Sequence, residues 1–167
     1  MHDLQLRRRV RGRRAVADLD ALGGVPEHVD RGDRGAGSVE RRALIGELRA
    51  RGIPAAVATS SRAAHALGHL GTAGLLEMFE TVVTRDDVAH PKPHPEPYLT
   101  AARRLAVAPA ACLAGEDSHS GVRAAHAAGL QTVRVPDLVP PTAEIRGLFT
   151  VVDTLYAGRA AALGVPA

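Results

Sequence analysis

Three short clusters in this sequence carry side chains suited to phosphate and hard cations: Thr59 with Ser60, Lys92 alone, and Glu116 with Asp117. Hydroxyls and strand-end amides suit phosphate oxygens, and an ammonium adds a point charge to the same anion. Adjacent carboxylates offer hard oxygen ligands for Mg²⁺. Together they describe a site that handles phosphoryl groups. Taken singly, each has a plainer reading as an N-cap, a solvated surface charge, or a capping pair that complements a helix dipole. Lys92 stands out for another reason: it is the only lysine among 21 basic residues, all the others being arginine. An ammonium in an arginine-dominated chain suggests a position where a compact charge is required.

These groups act together only if the fold gathers them. Residues 40–51 place Ala43, Leu44 and Leu48 on one helical face, and Gly52 follows as a helix stop. The apolar run 53–58 is short enough for a buried strand, and Thr59-Ser60-Ser61 turns it into a second helix over 62–70, with a hydroxyl as N-cap. The alternation continues with a strand at 81–84, a helix at 96–105 entered through Pro91-Lys92-Pro93-His94-Pro95, and a strand at 111–115 ending in Glu116-Asp117-Ser118. A helix through Ala128 stopped by Gly129, a strand at 132–135 and a last one at 149–152 complete it. Strand and helix in alternation with short connections predict an α/β fold, a parallel sheet with right-handed crossovers. In such a sheet functional groups collect at the carboxyl ends of the strands, where all three clusters fall.

Composition narrows the class further. At 167 residues and 46% hydrophobic the chain fits one domain, or one domain plus an arm. Aromatics are 2% and Trp is absent, so the core must be Ala, Val and Leu, and recognition of RNA bases on aromatic platforms is excluded. The single cysteine, Cys112, rules out a disulfide framework or a thiolate zinc cluster and reads as a small buried hydrophobe. No run approaches the ~20 apolar residues of a membrane span, and Arg7-Arg8-Arg9 precedes no apolar segment, so a soluble cytoplasmic protein is expected.

The formal charge of +3 lies wholly in residues 1–42, with ten Arg against seven acidic side chains. Residues 1–40 show little apolar periodicity and read as a basic, poorly ordered segment, leaving 41–167 as the folded core. The arginine run at 7–14 could meet nucleic-acid phosphates, but with no accompanying fold it is read as a solvated arm.

The stretches Ala56-Val57-Ala58-Thr59-Ser60-Ser61, Lys92-Pro93-His94-Pro95-Glu96-Pro97-Tyr98-Leu99 and Glu116-Asp117-Ser118 through Gly129 resemble the second, third and fourth motifs of the haloacid dehalogenase superfamily. The last is similar to its phosphatase and phosphoglucomutase-like branch. The resemblance spans about residues 41–155. It implies a Rossmann-like core, Mg²⁺ dependence and an aspartyl-phosphate intermediate in hydrolysing a small phosphorylated substrate. By the same resemblance Thr59, with Ser60, binds the phosphoryl group and Lys92 balances its charge. Glu116 and Asp117 hold Mg²⁺ directly or through water.

The family's first motif, an apolar strand followed by Asp-x-Asp-Gly-Thr, supplies nucleophile and general acid. The candidate is Asp18-Leu19-Asp20, behind a stub Ala15-Val16-Ala17 and without Gly-Thr after it. Residues 21–58 are too few for the branch's helical cap and the first helix together, so a cap is expected to be absent or truncated. Three readings stay open: a capless relative using Asp18, a chain whose first 40 residues are foreign to the fold, and a fold that has lost catalysis. The short stub and the missing Gly-Thr favour an inactive chain, with Mg²⁺ bound weakly. A phosphomutase or dehalogenase on the same scaffold, or a non-catalytic binding protein with a basic arm, is the alternative. Of the eight His, His65 and His69 are spaced for one helix face but lack a third ligand in sequence, and His94 and His119 neighbour the motifs.

Overall fold

The structure, a computed structural model, describes residues 14–17, 36–134, 142, 146–148 and 150–151. Six parallel strands form one sheet: β1 (Arg14–Ala17), β2 (Ala55–Ala58), β3 (Thr81–Val83), β4 (Cys112–Glu116), β5 (Gln131–Arg134) and β6 (Thr150–Val151). Four helices accompany them: α1 (Ala36–Ala50), α2 (Ala63–Thr72), α3 (Glu96–Arg104) and α4 (His119–Ala127). The expected parallel α/β architecture is present.

The strand order is β3-β2-β1-β4-β5-β6. The chain builds outward from β1 to β3, then returns past β1 to lay down β4 on its other side. This reversal makes the carboxyl end of β1 a topological switch point, where diverging connections leave a crevice.

β1 corrects the expectation that the core begins at residue 41. Ala17 is paired with Val57 of β2 on one side and with Gly115 of β4 on the other. A three-residue apolar stub looked too short for a central strand, yet its neighbours are themselves four and five residues long. A four-residue segment therefore meets them in full register, and the ladder on both sides supplies what local hydrophobicity lacks. α1 likewise starts at Ala36, ahead of that boundary.

Alternation along β2 divides the core in two. Ala56 and Ala58 pack with Val83, Tyr98, Ala101, Ala114, Ala124 and Ala125 under α3 and α4. Val57 faces the opposite layer with Ile45, Ala66 and Leu70 from α1 and α2. The interior is mostly alanine, leucine and valine, as the composition required, and each fully buried Val, Leu or Ile contributes about 1.5–3 kcal/mol.

Helix ends follow one pattern. Gly52 (φ 66°) and Gly129 (φ 78°), both read from sequence as stops, close α1 and α4 in the left-handed conformation, with Ile53 N–H donating to Leu48 and Leu130 N–H to Ala125. At the end of α3 the same six-residue bond, Val107 N–H to Ala102, closes around Ala106 at φ 54°. The start of α2 differs from expectation. Its N-cap is Arg62, without a side-chain bond, and the Ala63 N–H is satisfied by Asp86 Oδ2 at 2.9 Å. The Thr59-Ser60-Ser61 hydroxyls are thus not used to cap this helix.

A second acidic residue of the same turn, Asp87, ties β3 to α3. Its Oδ2 accepts from the Thr84 N–H and hydroxyl at 2.8 and 2.6 Å, and Arg104 Nη2 donates to Oδ1 at 2.5 Å. Burial alone would raise its pKa, but the bonds from Thr84 and Arg104 outweigh that and hold it at about 2. Because the folded pKa lies below the unfolded one, this group stabilises the fold above pH ~4 and loses that contribution as the pH falls towards 2. Acid unfolding of Asp87→Asn should therefore be less steep than wild type across pH 4 to 2. Superimposable slopes would show that the network contributes nothing.

Candidate active site at the switch point

β4 ends in Glu116, a carboxylate with no exposed surface. A buried charge needs compensation. Lys92 Nζ, on the Pro-rich loop before α3, donates to Glu116 Oε1 at 2.5 Å, with the lysine side chain 2% exposed. The Tyr98 hydroxyl, from the first turn of α3, donates to the same oxygen, and Ser118 Oγ donates to Oε2 at 3.1 Å. The Lys92 ammonium also lies 4.9 Å from the centre of the Tyr98 ring, within cation–π range. Three donors from three segments, the Pro-rich loop, α3 and the turn after β4, therefore fix one carboxylate, and that carboxylate fixes the lysine.

Ser118 has a second task. It is the N-cap of α4, its Oγ accepting from the Gly121 N–H at 3.0 Å. This brings Gly121 so close beneath Glu116 that a Cβ there would collide with the carboxylate. Since three donors hold Glu116 in place, Gly121→Ala should cost about 1–3 kcal/mol by overpacking and also displace Lys92. Thermal melts and turnover would both register it. A variant with unchanged melting and activity would mean that the carboxylate moves freely.

Asp117 follows at the exit of β4, half-buried, and its carbonyl accepts from the buried Arg134 Nε at 3.3 Å. Thr59 stands at the carboxyl end of β2, 2% exposed, with Oγ1 accepting from the Ser61 N–H at 3.1 Å, which leaves its hydroxyl hydrogen to donate elsewhere. Ser60 beside it is exposed. Residues 57 and 115 flank Ala17 in the pairing, so Thr59 and the Glu116-Asp117 pair stand on either side of the β1 exit. One strand lies between them, a separation of roughly 10 Å. Asp18 and Asp20 lie outside the described residues.

The donor set suits Mg²⁺ in part. Asp117 offers a carboxylate of the hard-oxygen type that Mg²⁺ takes. Both oxygens of Glu116 are already engaged, so direct ligation would require one of its three donors to give way; holding Lys92 is what its geometry supports. Tyr98, Ser118 and Gly121 were not singled out from sequence as site residues. The signal for Tyr98 was available: one of only two tyrosines, it occupies a core-facing helix position where its hydroxyl needs a partner.

The histidines take separate places. His65 and His69 rings approach to 4.0 Å, and among the described residues no third ligand joins them. His94 is half-exposed and groups with His90 and Glu96, while His119 opens α4, half-buried. Glu96 accepts from the Ala89 and His90 N–H groups and from the His90 ring, which together hold its pKa at about 2.

Known proteins resemble this chain in sequence and in fold. YhcW of Bacillus subtilis (strain 168) is 47% identical over 91 residues, covering 54% of this chain and 41% of its own. Fructose-1-phosphate phosphatase YqaB of Escherichia coli (strain K12) is 43% identical over 82 residues, covering 49% and 44%. The chain thus spans less than half the length of these curated relatives. Among solved structures, CbbY from Rhodobacter sphaeroides in complex with phosphate superposes with a TM-score of 0.63 at 34% identity, over 70% of this chain and 53% of that one. A hydrolase from Deinococcus radiodurans R1, at 22% identity and a TM-score of 0.71 over 95% of this chain, shares the fold. Residues 39–135, more than half the sequence and the part that builds the Lys92–Glu116 pair, match the family described as haloacid dehalogenase-like hydrolase. By this match and these relatives, the chain belongs to that family, in its phosphatase and phosphoglucomutase-like branch.

Proposed function

We propose that this chain is a Mg²⁺-dependent hydrolase of small phosphorylated molecules, working in the cytoplasm through an aspartyl phosphate on Asp18. The observation that carries the reading is the Lys92–Glu116 pair, buried beside the exit of β1, because Asp18 is the next residue in sequence after Ala17. A phosphoryl site needs fixed positive charge more than elaborate covalent chemistry, and an ammonium anchored by a buried carboxylate provides it.

In the first step an Asp18 carboxylate oxygen attacks phosphorus, the bond from phosphorus to the ester oxygen breaks, and Asp20 gives its proton to the departing alkoxide. In the second, water attacks the same phosphorus and Asp20 takes its proton. The acyl-phosphate bond then breaks, releasing phosphate and restoring the Asp18 carboxylate. Thr59 donates its hydroxyl hydrogen to a phosphoryl oxygen, and Lys92 offsets the charge between nucleophile and phosphate. Asp117 with Asp18, and Glu116 through water, would hold Mg²⁺, which would neutralise charge on the phosphoryl oxygens.

The substrate class is a small sugar or polyol phosphate, supported by the name of YqaB and by a CbbY structure holding xylulose-1,5-bisphosphate. The single cysteine, the buried Cys112, fits a reducing compartment. Among the described residues no helix is long and apolar enough to cross a membrane. The test is hydrolysis of a generic aryl phosphate by the full chain in Mg²⁺, read as phosphate release. Absence of release above that of a chain lacking both Asp18 and Lys92 carboxylate and ammonium groups would overturn the reading.

A further inference from the structure

On the solvent side of the loop that carries Lys92, His90, His94 and Glu96 bring one ligand atom each to within 4.8 Å of one another. His90 Nδ1 lies 2.9 Å and His94 Nδ1 4.0 Å from Glu96 Oε2. Two ligands on a tetrahedral zinc ion at ~2.0–2.1 Å stand about 3.3 Å apart, so the observed spacings bracket that value and small ring rotations would reach it. We propose that His90, His94 and Glu96 form a site for a divalent transition-metal ion of the zinc class, separate from the Mg²⁺ ligands at the end of β4.

The carboxylate is held in place before any ion arrives. Its Oε1 accepts from the Ala89 N–H and its Oε2 from the His90 N–H, both at 3.0 Å. Backbone donors of this kind orient a ligating carboxylate and leave its remaining lone pairs outward. The Glu96 N–H donates to His94 Nδ1 at 3.2 Å and the His90 Nδ1 bonds Glu96 Oε2; an ion would replace both contacts, with release of the His90 Nδ1 proton. The two rings already lie side by side, tilted by 34° with centres 4.6 Å apart. Pro91, Pro93 and Pro95 alternate with the ligating stretch and restrict its backbone, lowering the ordering cost of binding.

Ligand chemistry selects the ion. Two imidazoles and one carboxylate suit zinc, cobalt, nickel or copper, whereas Mg²⁺ prefers oxygen donors throughout. Both histidines are exposed, so a fourth position is open to water. Because Lys92 lies between His90 and His94 in sequence while its ammonium is buried on Glu116, an ion here would clasp both flanks of the loop that presents the lysine.

Titration of the full chain with Zn²⁺ by calorimetry, and with Co²⁺ by visible absorption, tests this. One equivalent should bind in the presence of excess Mg²⁺, with a tetrahedral Co²⁺ spectrum displaced by Zn²⁺. His90→Ala and His94→Ala should each weaken that event at least tenfold, and His65→Ala with His69→Ala should leave it unchanged. Circular dichroism confirms that these surface variants stay folded. Absence of binding at millimolar Zn²⁺, or affinity that persists with both His90 and His94 replaced, would overturn the proposal. It is independent of phosphatase turnover, so neither result depends on the other.

Discussion

Asp18→Asn is expected to abolish hydrolysis of an aryl phosphate by the full chain in Mg²⁺, a fall of at least ~10³-fold. An amide is a poor nucleophile and forms no acyl phosphate, so both steps of the route stop. The variant should melt like wild type, which separates loss of chemistry from loss of fold. Asp20→Asn should slow turnover by ~10²–10⁴, the usual worth of a positioned acid and base. The sequence alone favoured an inactive chain, because the stub before Asp18 looked too short to be a central strand. The pairing of Arg14–Ala17 with both β2 and β4 removes that ground. Turnover that survives Asp18→Asn would transfer the nucleophile's role to another residue.

Lys92→Met should act on stability and activity together, for distinguishable reasons. Glu116 would be left as a buried carboxylate without its cation, at a cost of about 3–5 kcal/mol. That corresponds to a melting temperature lower by roughly 10 °C. Turnover should fall ~10²–10³-fold through loss of the fixed charge at the phosphoryl site. The double variant Lys92→Met with Glu116→Gln separates the two effects. The carboxamide oxygen can still accept from Tyr98 while its NH₂ donates to Ser118 Oγ, so most of the lost stability should return, while activity should stay low. Recovery of both would show that the ammonium serves only to neutralise Glu116. Recovery of neither would place the main cost in the lost contact of the ammonium with the Tyr98 ring.

Much of the fold was written in local pattern. The strands at 55–58, 81–83 and 112–116, and the helices between them, follow from apolar period, proline entry and glycine exit. Gly52 and Gly129 mark helix ends because glycine, with no Cβ, adopts positive φ without strain. Ala106, doing the same work at the end of α3, left no trace in the sequence, since nothing in an alanine signals a left-handed residue. Thr59, Lys92, Glu116 and Asp117 were likewise legible as strand-end groups, because a parallel sheet sends every carboxyl end to one edge.

Two things needed the tertiary structure. The first is β1: Arg-Ala-Val-Ala carries almost no strand signal, and only the ladders to β2 and β4, contributed by residues some 40 and 100 positions away, make it the centre of the sheet. The second is what Glu116 does. Sequence offered it as a metal ligand beside Asp117. In the structure it is fully buried at the end of β4, where burial demands Lys92, Tyr98 and Ser118 as partners. Residue type and spacing determined which groups reach this edge; desolvation and long-range pairing, which no local pattern encodes, decided how they share the work.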